Sequence, residues 1–162
     1  RLNTPLTSST GRLFDAVSSL LNICRNTTYH AEAPMRLEAA ATRNSLEAYD
    51  FEMTDTISMK PAFDGMIADL RSGIATGIIS TKFHNTMINV IVQMVSRISQ
   101  QTGIKKVVLS GGSFQNRILL EESENRLRSA GFEVFTQSIV PSNDGGIALG
   151  QLAVAAKRRG RT

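Results

Sequence analysis

Apolar residues recur every three or four positions over most of the first two thirds of the chain. This spacing predicts helices over Leu13–Cys24, Pro34–Leu46, Pro61–Ile74 and Ile79–Gln101. The last of these is the longest, and Gly103 is positioned to end it. The front of the chain is therefore predicted to be mostly helical.

Short apolar runs and helical patterns alternate in the last third of the chain. Lys106–Ser110 and Gly131–Phe135 are typical of buried parallel strands, and each precedes a glycine turn or a helical stretch. The helices follow over Asn116–Arg128 and Ile147–Lys157. Rough alternation over Tyr49–Met59 predicts one or two further strands. Strands that alternate with helices predict an α/β fold, with a helical part over residues 1–48 and an α/β part over 49–162.

The first glycine turn, at Gly111 and Gly112, lies between a predicted strand and a predicted helix. Glycine allows close approach of the backbone to a ligand, and the free N–H groups of a helix start suit phosphate. Asn116, just beyond the turn, carries both a donor and an acceptor. An ordinary connection with Ser113 as helix cap explains the glycine pair equally well.

The second turn places an acid, Asp144, before Gly145 and Gly146. Its carboxylate is suited to bind a metal ion, but capping of the last helix is the better interpretation of this turn alone. Both turns follow predicted strands, and ligands bind at the carboxyl ends of the strands in α/β sheets. The two turns together therefore favour a ligand site.

Composition and charge narrow the class of protein. The net charge of +4 comes from 18 basic and 14 acidic residues, and the excess lies in Lys157, Arg158, Arg159 and Arg161, which does not predict a nucleic-acid surface. No apolar run has the roughly 20 residues that span a membrane. The single cysteine, Cys24, lies in an apolar stretch, which predicts a buried thiol and suits the cytoplasm.

The two histidines are far apart in sequence and predict no self-contained transition-metal site. His84 follows a core residue of the long helix, and helix packing or surface exposure is the expected role. His30 lies in the loop after the first helix. The chain begins Arg1-Leu2 without an initiator Met, so we expect that further sequence precedes it.

Three motifs give the chain a resemblance to a known family. Pro5–Val17, Leu109–Glu121 and Asn143–Gly146 together resemble the C-terminal, TsaD-like part of the HypF carbamoyltransferases of nickel–iron hydrogenase maturation. The resemblance extends over about residues 3–156. It implies half of an actin/hexokinase-like, or ribonuclease-H-like, nucleotide-binding domain.

The resemblance assigns expected roles to the residues of this chain that match the family's motifs. The resemblance implies that Asp15, Gly111, Gly112 and Asn116 bind the nucleotide, and that Asp144 binds a divalent metal ion (zinc, iron or magnesium). It identifies no catalytic residue in this chain. One motif departs from the family: relatives read Glu-Gly-Gln where this chain has His30-Ala31-Glu32.

The resemblance also implies a reaction and its partners. Carbamoyl-adenylate, made from carbamoyl phosphate and ATP by regions of the family that this chain lacks, would donate carbamoyl to the C-terminal cysteine of HypE for cyanide-ligand synthesis. The isolated chain is expected to be inactive, and an uncovered apolar face would favour association, including a homodimer.

Two alternatives stay open. One is also an enzyme, a TsaD-like threonylcarbamoyl or O-carbamoyl transferase; the other is of a different class, a non-catalytic nucleotide-binding module. TsaD proteins usually carry Ala-Ala-Asn where this chain has Phe114-Gln115-Asn116, which favours HypF over the first alternative.

Overall fold

The computed structural model describes residues 7–42 and 45–160. Six helices and two pairs of strands follow one another along this part of the chain. They are α1 (Thr10–Leu20), α2 (Glu32–Ala40), β1 (Glu52–Met53), β2 (Ile57–Ser58), α3 (Lys60–Arg71), α4 (Thr76–Thr102), β3 (Lys106–Leu109), α5 (Arg117–Ser129), β4 (Glu133–Thr136) and α6 (Ile147–Arg159). Two short 3-10 turns lie at Gly112–Gln115 and Asp144–Gly146. The fold is a mostly helical α/β arrangement, as predicted.

Helix α4 forms the centre of the fold, and its first half is buried on nearly every side. Helices α1, α2, α3 and α5 contact it or its neighbours around one apolar core. Phe14 of α1 and Phe83 of α4 pack edge to face with ring centres 5.0 Å apart. Gly103 ends α4 in the left-handed conformation (φ 73°), as the sequence predicted. The apolar core includes residues from both sides of residue 48. The division into a helical part over 1–48 and an α/β part over 49–162 stays a prediction.

Strands β3 and β4 pair in parallel, with Val108 beside Phe135 in the register. Leu109 and Val134 point to the face that α4 and α5 cover, and they are buried. Val108 and Phe135 point to the other face, where they are 68% and 44% exposed. The prediction that β3 is a buried strand is therefore right for one face only, because nothing in the described chain covers the second.

Helix α6 leaves a second apolar surface uncovered. All its residues are exposed, including four large apolar side chains: Ile147, Leu149, Leu152 and Val154. The uncovered apolar face that the sequence predicted is thus present, and association through it, including a homodimer, stays a prediction. No helix in the described ranges has the length and apolar character needed to cross a membrane.

Two helices end earlier than the apolar pattern predicts. After α1, Asn22 takes a left-handed conformation (φ 56°), and Cys24 lies buried in the following turn, where its thiol is 3.3 Å from the Asn26 carbonyl oxygen. After α2, Ala41 is extended and the Thr42 N–H donates to the Thr81 hydroxyl of α4, at 2.9 Å. A hydrogen bond within the loop thus follows the end of α1, and a hydrogen bond to α4 follows the end of α2, where the apolar pattern predicted further helix.

Pro5, Leu6 and Arg161, which are named in Sequence analysis, lie outside the described residues.

A charged cluster fastens α3 to α4. The Asp69 carboxylate accepts from the Tyr49 hydroxyl at 2.7 Å and from the Lys82 ammonium at 2.8 Å. The Lys82 hydrogen bond lowers the pKa of Asp69 most, and the Tyr49 hydrogen bond lowers it further. Burial, followed by the Asp69 hydrogen bond, raises the pKa of Tyr49. The cluster therefore stabilises the folded chain while Asp69 is ionised.

We expect Asp69→Asn to lower the free energy of unfolding near pH 7 by about 1.5–3 kcal/mol, because it removes charge-assisted hydrogen bonds. The pKa of Asp69 is lower in the folded chain, so its contribution is present above the unfolded pKa and is lost as the pH falls through the folded one. Urea unfolding from pH 7 to pH 3 should show the difference from wild type shrinking. Asp64→Asn, at an exposed ion pair with Lys60, is the matched control and should change little. A constant difference across this pH range would contradict the account.

Candidate nucleotide site at two glycine turns

Parallel pairing of β3 with β4 brings the two glycine turns to one edge of the sheet. The Gly111 N–H donates to the Ser142 carbonyl oxygen at 2.8 Å and so joins the turns directly. The Gln137 amide donates to the Ser110 hydroxyl at 2.6 Å and makes a second link. The prediction that each turn lies at the carboxyl end of a strand is confirmed, and the structure adds that the two strands are neighbours.

The backbone of the first turn has a conformation that requires glycine. Gly111 has φ 105° and ψ 163°, a region that side chains exclude. No heavy atom lies within 4 Å of the position that a Cβ would take at Gly111 or Gly112, so the space beside both glycines is open. Within the described chain, the N–H groups of Gly112 and Ser113 make no hydrogen bond. The 3-10 turn thus presents free donors beside open space.

The start of α5 is not the open anion site that the sequence predicted. The Glu38 carboxylate of α2 accepts from the N–H groups of Arg117 and Ile118, at 2.8 and 3.4 Å. Asn116 is the N-cap, and its side-chain oxygen accepts from the Leu119 N–H at 2.9 Å. The protein's own acceptors therefore occupy these groups, and Ser113 is not the cap. Free donors remain on the 3-10 turn before α5.

Asn116 lies behind the glycine turn and is buried, with 8% of its surface exposed. Its side-chain nitrogen is 2.9 Å from Nε2 of His84, which is fully buried on α4. The sequence predicts helix packing or surface exposure for His84; surface exposure is wrong, and the hydrogen bond to Asn116 was not predicted. The sequence signal is weak: Ser80 and His84 lie one helical turn apart next to the core residues Ile79 and Phe83, so polar groups adjoin the apolar face of α4.

The second turn is capped by Asn143, not by Asp144. The Asn143 side-chain oxygen accepts from the Gly145 N–H at 3.0 Å, and α6 has no side-chain cap. A Cβ on Gly146 would lie 2.9 Å from the Pro141 carbonyl oxygen, so the turn has no room for a larger residue there. Asp144 is exposed, and its backbone carbonyl oxygen accepts from the Ile147 N–H. Its carboxylate makes no hydrogen bond or ion pair within residues 7–42 and 45–160, so the carboxylate is available to a ligand.

A metal ion would need ligands beyond Asp144. In the described ranges, no three histidine, cysteine, aspartate or glutamate side chains converge. A lone carboxylate fits the role of one oxygen ligand to a hard divalent cation, and the metal-ligand role of Asp144 stays a prediction.

Asp15 lies on α1, which contacts the 3-10 turn at Gly112–Gln115. Its side chain is 38% exposed and lies 3.6 Å from the Arg12 guanidinium. The contact with the turn is made by the helix as an element, and a nucleotide contact by Asp15 stays a prediction.

Position 31, where the resembled family carries glycine, has a left-handed backbone in this chain. Ala31 adopts a left-handed conformation (φ 62°, ψ 16°), which costs a side-chain-bearing residue about 1 kcal/mol. Glu32 is buried; it accepts from the Thr28 N–H at 2.6 Å and pairs with Arg36 at 2.7 Å. The Thr28 N–H is the main cause that lowers the pKa of Glu32. The turn at His30-Ala31-Glu32 is thus held by the Glu32 carboxylate, with Ala31 in the left-handed conformation.

Comparison with known proteins identifies the class. Residues 1–151 match the family described as "Carbamoyltransferase, Kae1-like Domain, second subdomain". This chain belongs to that family of carbamoyltransferase subdomains.

Particular relatives are HypF proteins. The chain is 37% identical to carbamoyltransferase HypF of Synechocystis sp. over 161 residues, covering 96% of this chain and 20% of the relative. It is 36% identical to carbamoyltransferase HypF of Rhodobacter capsulatus over 160 residues, covering 97% and 21%. The chain spans about a fifth of the length of these relatives.

Solved structures agree with the sequences. A crystal structure of full-length HypF in its phosphate- and nucleotide-bound form superposes with a TM-score of 0.90 at 42% identity. The match covers 96% of this chain and 21% of that one. HypF from T. kodakarensis superposes with a TM-score of 0.80 at 25% identity, covering 92% of this chain and 20% of that one.

We expect Gly111→Ala to destabilise the chain by about 1–3 kcal/mol, because alanine cannot adopt φ 105° and ψ 163° without strain. Gly150→Ala is the matched control: Gly150 lies within α6 with open space around it, so alanine should raise helix stability slightly. Thermal unfolding of both variants checks the prediction. Equal stability of Gly111→Ala and wild type would show that the turn does not require glycine.

Proposed function

We propose that this chain is the nucleotide-binding second half of the carbamoyltransferase domain of a longer HypF-type protein. In this proposal the domain has an actin/hexokinase-like fold, with two related halves around a nucleotide cleft. The observation that carries the proposal is the meeting of two glycine turns at one edge of the sheet, joined by the Gly111–Ser142 hydrogen bond. The similarity of this chain to a HypF whose crystal structure contains phosphate and nucleotide supports the proposal.

The uncovered apolar surfaces support a larger domain. Val108 and Phe135 on the sheet, with Leu152 on α6, expose large side chains that a folded protein normally covers. The matched relatives are about five times as long as this chain and so have sequence to cover these surfaces. We infer that another part of the same HypF-type protein packs there and completes the cleft.

The geometry suggests how the site would work. The free N–H groups of Gly112 and Ser113 would bind the phosphate of the adenylate, because a turn of free donors favours an anion. Asn116 and Asp15 would hold the rest of the nucleotide. Asp144 would bind a divalent metal ion together with ligands from elsewhere in the protein, and such an ion supplies Lewis acidity toward a carbonyl or phosphate oxygen.

The transfer step needs no nucleophile from this chain. The C-terminal cysteine thiolate of HypE would attack the carbamoyl carbon of carbamoyl-adenylate, so that a C–S bond forms. The bond from that carbon to the phosphate oxygen breaks, and AMP leaves with the electron pair. The only cysteine here, Cys24, is buried in a turn, which agrees with an external nucleophile.

The test uses the full-length protein that carries this chain, supplied with carbamoyl phosphate, ATP and HypE. Mass spectrometry should show a carbamoyl group on the C-terminal cysteine of HypE. Asp144→Ala should lower the transfer rate at least about tenfold, because loss of a group that holds or orients a catalytic metal ion costs that much or more.

Asp55→Ala, at an exposed aspartate in the β1–β2 turn, is the control and should transfer at the wild-type rate. Equal rates for Asp144→Ala and wild type would remove the metal-ligand role but keep the function. No transfer by the wild type, with HypE shown to be competent, would contradict the carbamoyltransferase proposal.

A further inference from the structure

A chain of buried hydrogen bonds crosses the core behind the glycine turn. The Ser80 hydroxyl on α4 donates to the Leu37 carbonyl oxygen of α2 at 2.6 Å. One turn later on α4, His84 is 2.8 Å from the Ser80 carbonyl oxygen through Nδ1 and 2.9 Å from the Asn116 side-chain nitrogen through Nε2. His84 is fully buried. The chain therefore connects α2 and α4 to the residue that begins α5.

These distances fix the positions of the hydrogens. A backbone carbonyl oxygen only accepts, so Nδ1 of His84 must carry the hydrogen that it shares with Ser80. In the neutral ring Nε2 is then the acceptor, and the Asn116 amide nitrogen donates to it. The Asn116 oxygen is left facing the Leu119 N–H, which donates to it at 2.9 Å. In each of these three hydrogen bonds one donor therefore faces one acceptor.

This arrangement holds the Asn116 side chain in one orientation. A flipped amide would bring its nitrogen against the Leu119 N–H and its oxygen against the His84 acceptor, so both hydrogen bonds would be lost. The Asn116 N–H also donates to the Ser113 carbonyl oxygen at 3.2 Å, which ties the residue to the 3-10 turn. Among the described residues the second hydrogen on the Asn116 nitrogen has no acceptor, and the residue keeps 8% exposure through which a ligand would reach it.

We propose that His84 is a positioning residue for the nucleotide site: it orients the Asn116 amide so that this amide caps α5 and keeps a donor for the nucleotide. The inference rests on the proposed function, because it takes Asn116 to be a nucleotide contact. The competing role is packing alone, since the His84 ring lies 5.5 Å from the Phe14 ring and 6.0 Å from the Phe83 ring.

Two substitutions separate positioning from packing. In His84→Gln, the side-chain amide reaches the place of Nε2 and its oxygen can accept from Asn116. In His84→Asn, the shorter amide reaches only the place of Nδ1, so the Ser80 partner is kept and the Asn116 partner is lost. Ile88→Val, a fully buried change on α4 away from this chain of hydrogen bonds, is the control for reduced stability.

The measurement is hydrogen–deuterium exchange of the peptide over residues 110–120 in the full-length protein, titrated with AMP. In wild type, AMP should slow exchange in this peptide. His84→Gln and Ile88→Val should keep the wild-type affinity for AMP, and His84→Asn should lower it about tenfold, the effect of one lost oriented hydrogen bond. In an Asn116→Ala background, His84→Asn should produce no further loss.

Equal AMP affinities for His84→Gln and His84→Asn would overturn the inference, and so would a further loss in the Asn116→Ala background. Absence of any AMP effect on this peptide in wild type would overturn it as well. The carbamoyl-transfer assay on HypE is separate: failure there with AMP protection intact would reject the proposed reaction and leave the role of His84 standing.

Discussion

The hydrogen bond from the Gly111 N–H to the Ser142 carbonyl oxygen is the constraint on which the candidate site depends. It forms only because β3 and β4 run parallel and end at the same edge. Parallel strands need a crossover, and α5 supplies it while covering the inner face of the sheet. The same connection therefore gives the sheet its core face and brings two distant turns within one hydrogen bond of each other.

Some of the polar groups at the two glycine turns are hydrogen-bonded within the protein, and others are left for a ligand. Glu38 and Asn116 satisfy the start of α5, and Asn143 satisfies the second turn. What remains open is the 3-10 turn at Gly112 and Ser113, with the exposed carboxylate of Asp144. Internal partners thus hold both turns in place, and the unused groups define what a ligand would contact.

The sequence predicted the helices and strands well where apolar spacing is regular, as in α4, and where glycine ends an element, as at Gly103. It failed where a hydrogen bond to a distant residue decides the local backbone. Thr42 leaves the helical path to bond Thr81, 39 residues away, and Glu38 reaches the start of α5, 79 residues on. No local pattern predicts such pairs, and the contact of His84 with Asn116, 32 residues away, is another of them.

The family motifs identified the chain, and the structure changed which groups of those motifs face outward. Asn116 carries a nucleotide role by resemblance, but its side chain is largely committed to Leu119 and His84. The apolar surfaces of the sheet and of α6 face outward in this chain. Relatives about five times as long have other sequence that can cover such surfaces.

The most direct test of the central claim is a crystal structure of the full-length protein with AMP bound. The account predicts the AMP phosphate within hydrogen-bond distance of the N–H groups of Gly112 and Ser113, with Asp144 on the same side of the cleft. AMP bound only in other parts of the protein, with both glycine turns covered by protein, would contradict it.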